Sequence, residues 1–215
     1  MLLTFDVAAD AIAQHDDWHT HEHLAERLSI PGFLRGTRWV ATGEGPRYMV
    51  LYEVRSLSTL TSGAYLERLN NPTPWTSKIM PRYRGMSRGL CSVLGSFGAG
   101  SGHVGALIRF RATRPDELHA WLLDVLAALP PRIGLGSAHL LKAAATPAVT
   151  REQRLRGADG AIGSAILITG YERAAVEEVA RTPLGASALV ARGAEDPSFA
   201  TYRVDYSLAA AEVGA

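Results

Sequence analysis

The sequence predicts an α+β fold in which two βαββαβ repeats pack together as one α/β barrel. Three observations lead there. The order of elements read from hydrophobic periodicity occurs twice along the 215 residues. A set of residues recurs at one offset of a hundred positions. A four-stranded sheet with helices on one face also leaves its other face to be covered, and a second repeat supplies the cover.

Met1–Val7 reads as a strand, apolar with Thr4 and Asp6 alternating. A helix follows over roughly Asp17–Ser29, capped by Asp16 or Asp17 and stopped by Pro31-Gly32. Phe33–Thr42 and Tyr48–Val54 form a hairpin across the turn Gly43–Pro46. Leu57–Leu69 reads as a second helix, broken by Asn71-Pro72-Thr73-Pro74, with a short addition at Trp75–Pro81. Arg84–Phe97 supplies the fourth strand. The order βαββαβ is the split-βαβ, ferredoxin-like unit.

The glycine-rich stretch 99–102 reads as a linker between a first repeat, 1–98, and a second, 103–210. In the second, His103–Ala112, Ile133–Ala143, Ser164–Tyr171 and Phe199–Leu208 read as strands. Pro115–Leu129 and Ala174–Arg192 read as helical. At the common offset Asp16-Asp17-Trp18-His19 meets Asp116-Glu117-Leu118-His119, Pro31 meets Pro131, and Trp39 meets His139. Ala144–Ile162 is longer than its counterpart Thr42–Arg47 and has little apolar material, so it is expected to be a surface loop.

Composition excludes several classes. Hydrophobic residues make up 47% and charged residues 20%, enough for a packed core. The formal net charge is +1, and residues 1–100 carry ten Lys/Arg against nine Asp/Glu. Neither half has the basic excess that attracts nucleic acid or anionic lipid, so neither partner is expected. The single cysteine, Cys91, rules out an internal disulfide framework and a cysteine-rich zinc site. No apolar run approaches the ~20 residues of a membrane span, and the N-terminal stretch lacks a signal's basic and apolar regions. A cytoplasmic location is expected.

The stretch Trp18-His-Thr-His-Glu22-His23-Leu-Ala-Glu-Arg27-Leu28-Ser-Ile-Pro31-Gly32-Phe33 resembles the W-x-x-x-E-H-x-x-x-R-L-x-x-P-G-F pattern of the dimeric α/β barrel superfamily, nearest to its EthD-like members. Pro46-Arg47-Tyr48, Leu51-Tyr52-Glu53 and Asn71–Thr76 are similar too. The likeness covers roughly residues 1–95, and the chain departs from the pattern at His19 and Ala25. The resemblance implies a small hydrophobic or aromatic ligand in a cleft between a sheet and its own helices, and it allows a homodimer. Relatives include cofactor-free monooxygenases, lactone isomerases and haem-handling enzymes. No histidine is marked as an axial ligand, so no cofactor is assigned.

Four of the seven histidines lie within nine residues: His15, His19, His21 and His23. Neither H-x-H-x-D-H nor H-E-x-x-H is completed, since Leu24 and Ala25 stand where ligands are needed, and no metal site is assigned. At about 100° per residue, Trp18, Ala25 and Leu28 share a helix face, with His21 inside it and Glu22 at its border. His15, His19 and His23 fall largely opposite. The resemblance points to Glu22 and His23, and the wheel to His21 and Glu22. The catalytic candidates are therefore Glu22, His21 and His23, since a partly buried carboxylate beside an imidazole suits proton transfer. A salt-bridged Glu22 and a packing His21 are the plain alternatives. Trp18, Arg38, Trp39 and Trp75 are candidates for holding a ligand, and ordinary core is the alternative for the aromatics. Two functions follow: a cofactor-independent, monooxygenase- or isomerase-like enzyme, or a non-catalytic ligand-binding protein on the same scaffold.

Overall fold

The computed structural model describes residues 1–144 and 149–214. Strand β1 (Leu2–Val7) leads through a short 3-10 turn into helix α1 (Ile12–Trp18), a π turn (His19–His23) and α2 (Leu24–Leu28). Strands β2 (Phe33–Ala41) and β3 (Tyr48–Val54) form the expected hairpin. Helices α3 (Gly63–Asn70) and α4 (Pro74–Ile79) follow, with Ser62 and Thr73 accepting from the first-turn amides of Tyr65 and Thr76. Strands β4 (Tyr83–Gly89) and β5 (Cys91–Gly98) are one strand path interrupted at Leu90.

The second half contains β6 (Val104–Ala112), α5 (Pro115–Ala127), β7 (Leu135–Ala143), α6 (Arg151–Arg156) and β8 (Gly160–Ala161). It ends with β9 (Ser164–Gly170), α7 (Arg173–Arg181), α8 (Ala186–Val190) and β10 (Ala194–Ala209). The strand order is β5-β7-β9-β6-β10-β2-β3-β1-β4-β8. Each half therefore has its own strands in the same order, second-third-first-fourth.

The sheet closes on itself. β10 pairs with β6 over Ala194–Arg203 and with β2 over Tyr202–Ala209. The β4–β5 path does the same, pairing with β1 and then with β7. The two ends of the sheet are thus one stretch of chain, and the result, among the described residues, is a barrel without free edges apart from the two-residue β8. Three cores follow from strand alternation. One lies between the first-half strands and helices and holds Phe5, Trp18, Tyr48 and Tyr83. A second lies between the second-half strands and helices and holds Phe110, Leu122 and Ile166. The third fills the barrel interior with Leu2, Trp39, Met49, Leu107, Leu167 and Tyr202. Arg109 crosses that interior to donate to Thr4 at 2.7 Å.

One expectation is corrected. Ala144–Ile162 is not a surface loop throughout: α6 within it buries Glu152 and Gln153. Thr150 and Gln153 cap its start reciprocally. The helix spans under two turns, too short for periodicity to show. Positions 145–148 of this stretch lie outside the described residues.

Candidate functional site: a buried polar cleft in the first half

His15, His19, His23 and Arg27 are spaced four apart, and all four are buried. On a regular α-helix such a row drifts round the axis, because one turn takes 3.6 residues. The π turn corrects the drift. The amide of Leu24 bonds the carbonyl of His19, so this turn takes in an extra residue. His15, His19, His23 and Arg27 then stay on the face that already carries Trp18, Leu24 and Leu28. His21 is left outside, 70% exposed, with Nε2 3.4 Å from Asp17. This reverses the expectation from a uniform wheel, which put His21 inward and the other three outward.

The imidazoles stack into the core. His15 Nε2 lies 3.2 Å from the Tyr83 hydroxyl, and its Nδ1 lies 3.0 Å from Asp16. The Tyr48 hydroxyl donates to the same carboxylate at 2.7 Å. The rings of His15 and His19 are 5.5 Å apart, those of His19 and His23 also 5.5 Å, and His23 lies 4.3 Å from Trp18. Burial pushes all three histidines below the ordinary imidazole value, His19 and His23 furthest, and neighbouring cations add to the effect. They are neutral bases at physiological pH. Burial also pushes the Tyr52 and Tyr83 hydroxyls upward.

His19 and His23 line a cavity of about 30 Å³ with Arg27, Tyr52, Tyr83, Arg88, Glu152 and Arg156. That is room for roughly two waters. His19 Nδ1, His23 Nδ1, Tyr52 Oη and Arg88 Nη1 have no hydrogen-bond partner among the described residues. α6 closes the cleft: Glu152 forms an ion pair with Arg27, and its other oxygen lies 3.7 Å from Arg156. Arg156 in turn holds Asp159 at 2.7 and 3.0 Å. Burial opposes the charge on Arg27, but the Glu152 carboxylate, with Tyr65 and Glu26 adding to it, raises the guanidinium's pKa.

The sequence-selected residues do not form one site. His23 lines the cavity, and Trp18 packs against its ring. Glu22 is a cross-link between helices: its carboxylate accepts from Trp18 Nε1 at 3.1 Å and from Thr73 at 2.6 Å. Trp75 packs, partly buried, on the first-half core. Arg38 is tied to Asp205 at 2.8 Å and to the Asp16 carbonyl at 3.0 Å. Trp39 lies in the barrel interior, on the other side of the sheet. The residues that sequence reading missed are His19, Arg27, Arg88, Glu152 and Arg156. A row at spacing four was the one visible sign for the first two.

The corresponding place in the second half is mostly apolar, with one buried histidine. α5 buries Leu118, His119, Leu122 and Leu126, and His119 lies 3.0 Å from Ser164. Trp121 on the same helix is partly buried, with the Arg192 guanidinium 4.1 Å from its ring centre. A separate space of about 640 Å³ opens at the barrel interior, lined by Trp39, Leu51, Val93, His139, Leu141 and Leu167 among others. Among the described residues, no three His, Cys, Asp or Glu side chains group as a metal site, and no helix is long and apolar enough to cross a membrane.

No family model matches this sequence, and no curated protein matches it. Solved structures do match the fold. An anthrone oxidase-like protein superposes with a TM-score of 0.71 at 15% identity, covering 100% of this chain and 93% of the other. A protein from Lactobacillus acidophilus NCFM described as a candidate monooxygenase gives 0.55 at 13% identity, covering 97% and 94%. Another so described, from Fusobacterium nucleatum subsp. nucleatum, gives 0.56 at 6% identity, covering 97% and 92%. At these identities the likeness is one of ferredoxin-type fold.

Proposed function

We propose that the chain is a cofactor-independent oxidase of small aromatic molecules, working in the first-half cleft, and that it belongs with the dimeric α/β barrel proteins. Two repeats, 1–98 and 103–210, joined at 99–102, account for its shape. The observation that supports the reading is the pair of buried, neutral imidazoles whose Nδ1 atoms make no hydrogen bond among the described residues beside the cavity, the Glu26 carboxylate standing 4.0 Å from that of His23. A base held unprotonated by burial and by neighbouring guanidiniums is free to accept a proton from an activated carbon.

The chemistry balances without a cofactor. His23, with His19 behind it, takes a proton from the methylene of an anthrone-type substrate. The resulting carbanion passes an electron to dioxygen, and the radical pair combines to form a C–O bond. The peroxide takes the proton back from the imidazolium. The imidazole then takes the remaining proton of that carbon, the C–H pair forms the C=O bond as the O–O bond breaks, and the departing hydroxide recovers the proton as water, so each methylene and one dioxygen give one carbonyl and one water. Glu22 and Trp18 position the helix that carries the base; the cavity holds about two waters and Phe5 and Tyr83 stack on each other, so the rings of the substrate enter only as α6 moves aside. The test is oxygen uptake with anthrone under ¹⁸O₂. The account expects stoichiometric uptake and one ¹⁸O in the ketone. Uptake no faster than the buffer blank contradicts it.

The second reading, a non-catalytic binding protein, is favoured by the 640 Å³ barrel space, which lies in the ordinary range for ligand pockets. Crystals soaked with anthraquinone separate the two: density in the barrel space with no oxygen uptake supports the binding protein.

A further inference from the structure

Arg88 is 6% exposed and sits on β4 opposite Leu3, on the sheet face that looks toward the helices. It lines the cleft cavity. Among the described residues no carboxylate lies within 4.0 Å of it, and its Nη1 has no hydrogen-bond partner. The other two guanidiniums on the cavity wall are matched, Arg27 by Glu152 and Glu26, and Arg156 by Asp159. The histidines beside them are neutral. Among the described residues Arg88 is thus the guanidinium of this wall without a carboxylate in ion-pair reach, and a buried charge is unfavourable without a counter-charge.

Glu152 reaches this wall from the other half of the chain, on a helix of six residues. Its carboxylate lies between Arg27 and Arg156. The free space beside it, about two waters, is the size of a carboxylate group, and the rings of Phe5 and Tyr83 stack at 4.5 Å in the adjoining core.

We propose that the cleft takes an aromatic ligand carrying an anionic oxygen, that Arg88 holds this oxygen, and that the body of the ligand enters by displacing Glu152 and α6. A guanidinium in a water-poor wall binds such an oxygen through charge-assisted hydrogen bonds, and a neutral isostere gains far less. Glu152 competes for the same cations, so it sets how tightly the ligand binds. The inference rests on the cleft of the proposed oxidation and names its substrate class, but it requires no turnover.

The experiment uses the full chain with 2-naphthoate and its neutral isostere 2-naphthamide, read by calorimetry. Naphthoate is expected to bind at least ten-fold more tightly than naphthamide. Arg88→Met should abolish that preference, and Glu152→Gln should tighten naphthoate binding about ten-fold. Hydrogen exchange on the unmodified chain gives a reading that needs no variant to fold: saturating naphthoate should speed exchange of the amides at 151–156. Equal binding of the two probes, no binding of naphthoate, or preference retained in Arg88→Met overturns the assignment of Arg88. Unchanged exchange at 151–156 in the naphthoate complex overturns the displacement of α6. Naphthoate binding with these signatures but no oxygen uptake on anthrone leaves the anion site standing and removes only the oxidase reading.

Discussion

Arg27 on α2 and Glu152 on α6 form a buried ion pair across 125 residues of sequence. The pair fastens a helix of the second half over a cleft of the first. Each partner is nearly inaccessible to water, so the pair is a coupled unit: its value lies less in net attraction than in the cost of leaving one charge alone.

Removing one partner should therefore be worse than removing both. Arg27→Met is expected to destabilise the chain by about 3–5 kcal/mol, and Arg27→Met with Glu152→Leu to recover most of that loss. Urea unfolding of the two single variants and the double variant measures the coupling. A single variant within 1 kcal/mol of the parent (about a fivefold change in equilibrium constant) would show that the charges are not buried together.

The histidines set a pH dependence whose sign is fixed by their surroundings. His15, His19 and His23 are held neutral in the fold and shifted below the ordinary value of about 6.5. Below that value the unfolded chain binds protons that the folded chain refuses, so stability falls as pH falls. The loss should begin near pH 6.5, continue downward, and be reduced in His19→Phe. Thermal midpoints between pH 5 and pH 8 test this, and a midpoint that rises on acidification would contradict it.

His21 and Glu22 are adjacent but should behave differently. His21→Ala removes an exposed side chain and should change stability by no more than roughly 0.5 kcal/mol. Glu22→Ala removes the acceptor shared by Trp18 and Thr73 and should cost roughly 1.5–3 kcal/mol. Chemical denaturation of the two variants side by side gives the comparison. Equal costs would place Glu22 outside the helix–helix link.

The strands were the legible part. Tyr48–Val54 was bounded to the residue, because alternation and a glycine-proline turn act locally. The helix phase was not legible in the same way. A wheel at constant pitch placed His21 inward, and the π turn at His19–His23, which reverses this, leaves no mark in composition. Nor was α6 visible. Four of its six residues are charged, and Glu152 is buried against Arg27 and Arg156. The cleft is made by such long-range pairs: Arg27 with Glu152, and His15 with Tyr83. Helix and strand patterning reports which face is buried, and it does not report which charged groups will meet there.

The account rests most directly on His19 and His23 being neutral inside the cleft. Long-range ¹H–¹⁵N correlation of the histidine side chains reads this at about pH 5.5, a full unit below the ordinary imidazole value. Assignment by His19→Phe and His23→Phe identifies the two rings. Neutral-tautomer nitrogen shifts for both rings at that pH are the predicted result. Imidazolium shifts for either ring, in a chain that is still folded, would contradict it.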